Sequence, residues 1–76
     1  MKELVDYIAR ALVENPDEVQ TTEEWDGHRH LIHLDVAASD MGKVIGRGGR
    51  VAESMRALLK VAAARQDTRV ALDIGD

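Results

Sequence analysis

The 76-residue chain contains no cysteine, which excludes a disulfide framework, a thiolate metal site and a thiol nucleophile, and suits a reducing cytosol. It has no phenylalanine, and Tyr7 and Trp25 are its only aromatic side chains. A surface that stacks several bases on aromatic rings is therefore not expected; nucleic-acid binding would have to rest on aliphatic packing, hydrogen bonds and main-chain contacts. Pro16 is the single proline. No apolar run approaches the length of a signal peptide or a membrane span, so a cytoplasmic protein without membrane association is expected. The length suits one small domain over residues 1–76, burying about 60% of its unfolded surface.

Net charge is −4, which taken alone argues against a polyanionic partner. Its distribution argues the other way. Residues 1–40 carry three cations, Lys2, Arg10 and Arg29, against ten acids. Residues 41–69 carry seven cations against Glu53 and Asp67. Such asymmetry can place a basic surface on an acidic body, or can merely solvate one helix.

The stretch from Val44 to Val51 (Val-Ile-Gly-Arg-Gly-Gly-Arg-Val) concentrates half of the six glycines. Glycine admits positive φ and close approach to the main chain, and a loop that opens a helix presents unpaired N–H groups at the positive end of a dipole. With Arg47 and Arg50 this makes a candidate anion site. The same residues also read as a tight interhelical turn.

Leu4, Val5, Ile8, Ala9 and Leu12 predict a helix over about 2–14, stopped by Asn15-Pro16. Tyr7 is expected to pack at its edge. Val19, Thr21, Glu23 and Trp25 share one side of a strand drawn over 17–25, and Asp26-Gly27 supplies a two-residue hairpin turn. A second strand over 28–37 buries Ile32, Leu34 and Val36. Glu23 and Glu24 point to opposite faces and read as solvated carboxylates. Ser39 is the expected N-cap of a short helix, with Asp40 near its positive end. Val51, Met55, Leu58, Leu59, Ala62 and Ala63 define the strongest apolar stripe, a helix over about 49–65. Val70, Leu72 and Ile74 alternate into a last strand. The resulting order, α-β-β-α-α-β, predicts a two-layer α+β domain with three strands covered by three helices on one face.

Several chemistries fail on spacing. Gly49 is followed by Arg50-Val51, not the Lys-Ser or Lys-Thr of a Walker A loop, and position 51 is not the third glycine of a dinucleotide fingerprint. His28, His30 and His33 do not converge from one strand, so no metal site is expected. Ser39 and Ser54 lack an evident base and orienting group. No enzyme activity, cofactor or small-molecule substrate is expected.

The Val44-Ile45-Gly46-Arg47-Gly48-Gly49 stretch, with its Gly-x-x-Gly tetrad between two helices in this element order, resembles a KH domain of the type II arrangement. Asp40-Met41-Gly42-Lys43 ahead of the tetrad and Arg50-Val51-Ala52 after it are similar to the small bacterial single-KH proteins of the KhpA type. The resemblance implies single-stranded RNA as partner, held by a phosphate clamp at Gly46, Arg47, Gly48 and Gly49. Lys43 and Arg50 would flank it as cations, and Val44, Ile45 and Val51 would lend aliphatic surface to one wall or else belong to the core. It further implies an RNA-chaperone role, homodimers, a larger KH partner of the Jag/KhpB type, and a link to cell elongation and wall synthesis. Gly48 departs from the polar residue often found there and is expected to add flexibility and no contact. A two-residue turn at Asp26-Gly27 implies a short opposite wall and weak sequence preference. The rival expectation, favoured by the acidic first half, is an adaptor that uses the fold mainly for dimerisation.

Overall fold

A computed structural model describes residues 1–75. The helical periodicity that starts at Leu4 produces α1, Lys2–Leu12, with Val5 and Ala9 buried. The helix ends earlier than its pattern predicts, because Val13 is extended (φ −88°, ψ 161°) and the N–H groups of Glu14 and Asn15 donate to the Asp40 carboxylate. Pro16 then opens a 3-10 turn over Pro16–Glu18 in place of the predicted start of a strand, since its fixed φ suits a first helical turn.

Strand β1 covers Gln20–Trp25 and β2 covers His30–Asp35. They pair antiparallel with Trp25 opposite His30, so the connection is the four residues Asp26–Arg29, not a two-residue turn. Asp26 is the reason: its Oδ1 accepts the N–H groups of both His28 (2.8 Å) and Arg29 (2.8 Å), while its own N–H donates to the Arg29 carbonyl. Gly27 supplies the positive φ, +96°. β2 is shorter than its predicted 28–37, but the alternation holds, with Ile32, Leu34 and Val36 buried.

Helix α2, Met41–Ile45, and helix α3, Arg50–Arg65, follow, and β3, Val70–Ile74, lies parallel to β2. The sheet order is β1-β2-β3. Val5 and Ala9 of α1, Val44 of α2, and Met55 and Leu59 of α3 join Ile32, Leu34 and Leu72 in one core. Each apolar helix face thus meets the same side of the sheet, the two-layer solution such faces require. This is the type II KH arrangement, an α+β fold with a three-stranded mixed sheet and its helices on one face.

The stripe of α3 differs from its prediction at two residues, gaining Ala52 and losing Leu58. Ala52, Met55, Leu59 and Ala63 face inward, whereas Leu58 is 50% exposed. A rotation of about 100° per residue carries Leu58 past the rim of a core that is only one helix wide.

Candidate nucleic-acid interface

The loop is built from Asp40 upward. Asp40 is the one buried charged residue among the described residues, 1% exposed. Its carboxylate accepts from Glu14 N–H (3.1 Å), Asn15 N–H (3.0 Å) and Asn15 Nδ2 (3.0 Å). The Glu14 N–H, with those of Asn15, holds its carboxyl below the usual carboxylate range against the opposing effect of burial. Asp40 therefore ties the end of α1 to the start of α2. Ser39 lies inside a 3-10 turn, Ala38–Asp40, so the N-cap position of α2 falls to Asp40, and no side chain makes a capping hydrogen bond there. Nothing in the sequence points to this clamp, because its partners lie 25 and 26 residues away.

Helix α2 ends at Gly46, whose N–H donates to the Gly42 carbonyl. Gly46, Gly48 and Gly49 have φ of +80°, +65° and +79°, a conformation that favours glycine. Their reasons differ. A β-carbon on Gly46 would lie 2.5 Å from Val51 Cγ2 and 2.8 Å from the Val51 nitrogen. One on Gly48 or Gly49 would meet nothing within 4 Å. Gly46 closes the turn against α3, while Gly48 and Gly49 leave bare main chain facing outward. No side chain caps the N-terminus of α3, because its N-cap is Gly49. The dipole and N–H groups there stay available to an anion.

The predicted flanking residues divide. Arg47 and Arg50 are exposed and form no ion pair among the described residues. Lys43 reaches toward Asp40 (3.8 Å) and Glu14 (3.9 Å), so part of its charge is already balanced. Ile45 is exposed beside the loop at 38%, but Val44 is 0% exposed and belongs to the core, which corrects its expected place on a binding wall. Val51 is partly buried, packed on the core beneath Gly46. Gly42 sits in α2 with open space where a β-carbon would go. Ile45, Gly42 and the tetrad thus form a smooth, small-residue surface around the helix ends.

A seam between α3 and β3 is lined by Arg56, Leu59, Lys60, Val70, Ala71 and Leu72. Arg56 is fixed across it, donating to the Leu72 carbonyl (3.3 Å) and to Glu53 Oε1 (3.4 Å). Pairing an edge-strand carbonyl with a cation also blunts that edge against another strand.

One of the two acids read as solvated has definite partners. Glu23 is half-buried and accepts from the Lys2 N–H (2.8 Å) and faces His30 Nδ1 (3.2 Å), so it is not the solvated carboxylate expected. Burial alone would raise its pKa, but the Lys2 N–H and the charges around it hold it below the usual value. Trp25 is exposed and meets the His30 ring edge-on at 4.9 Å, leaving the inward side of β1 to Thr21 and Glu23, with Val19 buried just ahead of the strand. No helix among the described residues is long and apolar enough to cross a membrane.

Comparison with known proteins agrees with this geometry. The profile of the KhpA/KhpB KH-domain family matches residues 2–74. An RNA-binding protein KhpA of Halalkalibacterium halodurans is 51% identical over 76 residues, covering 100% of both chains. Proteins of the same name from Treponema pallidum (47% identity, 99% of this chain and 94% of that one) and Clostridium acetobutylicum (45% identity, 97% and 99%) are also similar. No solved structure matches the chain. The match runs through every helix and strand and spans the Gly46–Gly49 turn, and the relatives align end to end: the chain belongs to the KhpA/KhpB KH-domain family.

Proposed function

We propose that the protein binds single-stranded RNA by clamping its backbone at Gly46–Gly49. The observation that carries this reading is the exposed main chain at Gly48 and Gly49, two positive-φ residues with nothing within 4 Å of a β-carbon, at the uncapped N-terminus of α3. The relatives that share the whole fold are named RNA-binding proteins. Phosphates approach the tetrad backbone, Arg47 contacts them directly, and Arg50 and Lys43 add charge from either side. Ile45 and Gly42 offer a base or ribose an aliphatic surface without aromatic stacking. Few groups here read base edges, so sequence preference is weak. That suits a chaperone that engages many transcripts, in the post-transcriptional role linked by resemblance to cell elongation and wall synthesis. The test is the double variant Arg47→Asp, Gly48→Asp, since aspartate tolerates positive φ better than most residues and the loop is exposed. The variant is expected to keep its circular-dichroism spectrum and lose binding to a mixed single-stranded RNA pool; binding as tight as the parent's overturns the clamp.

A second reading, self-association, is favoured by a different observation. Leu58 and Val61 are 50% and 56% exposed on the outer face of α3, and Ala57 and Ala64 beside them are small enough for close approach. An antiparallel pairing of two α3 helices about a two-fold axis would set Leu58 against Val61 of the second copy and Glu53 near its Arg65. The face lies one flank away from the tetrad, so a homodimer would carry two clamps and gain avidity. The same face is available to a larger KH partner of the Jag/KhpB type.

A further inference from the structure

The two edges of the sheet are finished differently. On β3 the Leu72 carbonyl is taken by Arg56. β1 forms the other edge, pairs only with β2, and contains neither proline nor lysine. Main-chain groups of an antiparallel pair point alternately toward the partner and away from it. The phase follows from the bonds at the hairpin. Asp26 donates its N–H to the Arg29 carbonyl, whereas the N–H of His30 turns the other way, to Arg69. Gln20, Thr22 and Glu24 therefore bond to β2, opposite Asp35, His33 and Leu31. The N–H and C=O groups of Thr21, Glu23 and Trp25 point outward, and no described residue bonds to them.

Beside this edge lies an open groove of about 550 Å³, with Asp6, Tyr7 and Ala11 on the α1 side and Thr21 on the strand side. Tyr7 is exposed and Ala11 small, which gives the groove an apolar wall. Arg10 donates to the carbonyls of Pro16 (2.8 Å) and Val19 (3.3 Å), so the main chain just ahead of β1 is already satisfied and the unpaired edge begins at Thr21. Charge is one-sided. Residues 1–25, which build α1 and β1, carry seven acids against Lys2 and Arg10. A polyanion is repelled by such an edge, and a second copy of the chain would bring the same acids together. A basic strand is attracted to it.

We propose that β1 adds a strand from a basic protein partner: an extended segment in which lysine or arginine alternates with an apolar residue. Successive side chains of the added strand point to opposite faces. The apolar ones enter the groove against Tyr7 and Ala11, and their main chain exchanges bonds with Thr21, Glu23 and Trp25. The basic ones lie on the uncovered face of the sheet beside Glu24, which is exposed. No tetrad residue lines the groove, so this site stands apart from the RNA clamp.

The probe is a fluorescein-labelled peptide of four Lys-Val repeats, titrated into the full chain and followed by polarisation. One twin is methylated on every valine nitrogen and another on every lysine nitrogen. The parent peptide and the lysine-methylated twin are expected to bind, because lysine N–H groups face away from β1. The valine-methylated twin is expected to bind at least about tenfold more weakly. Amide exchange read by NMR should slow at Thr21, Glu23 and Trp25 when the peptide is added, while Thr22 and Glu24 are slow throughout. Absence of binding, or equal binding of the two twins, overturns the added strand. A Glu-Val peptide that binds as tightly overturns the basic partner. Slow exchange at Thr21, Glu23 and Trp25 in the protein alone, with a dimer mass by light scattering, assigns the edge to a second copy and also overturns it.

Discussion

The α-carbon of Gly46 faces the backbone nitrogen of Val51 so closely that a β-carbon there would sit 2.8 Å from it. The end of α2 and the start of α3 are thereby packed main chain against main chain, and the tetrad is held by its first glycine while its last two point into solvent.

Gly46→Ala meets both a positive φ and a clash with backbone that cannot rotate away, so it is expected to destabilise the fold by about 2–3 kcal/mol. Gly48→Ala meets only the φ cost, about 1 kcal/mol. Thermal melts should rank the two variants in that order; equal losses would show that Val51 moves aside.

Gly42 occupies a helical position where nothing restrains a larger side chain. Gly42→Ala is expected to stabilise the protein by about 0.5–1 kcal/mol through helix propensity. It should at the same time weaken RNA binding, since a methyl group would roughen the surface beside Ile45. Urea denaturation paired with an RNA titration checks both signs.

Binding through the tetrad should fall with salt, but gently. Three or four phosphate contacts at about 0.7 each predict a log–log slope of about −2 to −3 for a single strand. A titration series from low to physiological salt measures it, and removing Arg47 should make the slope shallower by close to one contact.

Asp40 should make stability sensitive to acid. Its pKa is lowered in the folded state, so the unfolded chain takes up the proton first as pH falls. The contribution is fully present at neutral pH and is lost as pH drops below about 4, the ordinary carboxylate value, toward the lower folded one. Asp40→Asn should abolish this part of the pH dependence and lower the melting temperature at pH 7, because an amide nitrogen would face the N–H groups of Glu14 and Asn15. Melting curves of parent and variant across this range should converge at the acid end.

The outer face of α3 gives a mass measurement. Leu58→Asp with Val61→Asp places two like charges where two apolar side chains would meet, and light scattering is expected to show the monomer mass. These positions are exposed, so the melting temperature of the monomer should change little.

What the sequence by itself determined is the part that depends on near neighbours. Helical and alternating spacing located α1, α3 and all three strands, because burying an apolar face is a local periodic demand; α2 was read from its expected cap and the glycines that end it. The clustered glycines located the loop, because positive φ is a property of the residue. What only the tertiary structure decided is where distant segments meet. Asp40 reads as a helix-start acid until the end of α1 is folded onto it. Asp26 reads as half of a two-residue turn until its carboxylate gathers two N–H groups and lengthens the loop to four residues. Val44 and Leu58 exchange their expected exposures because the width of the core, which no periodicity encodes, decides which apolar side chains it covers. The cleft that Arg29, Lys60 and Arg69 line belongs to the same class: they are scattered over forty residues and come together because β3 runs parallel to β2, bringing the two strand starts to one end of the sheet.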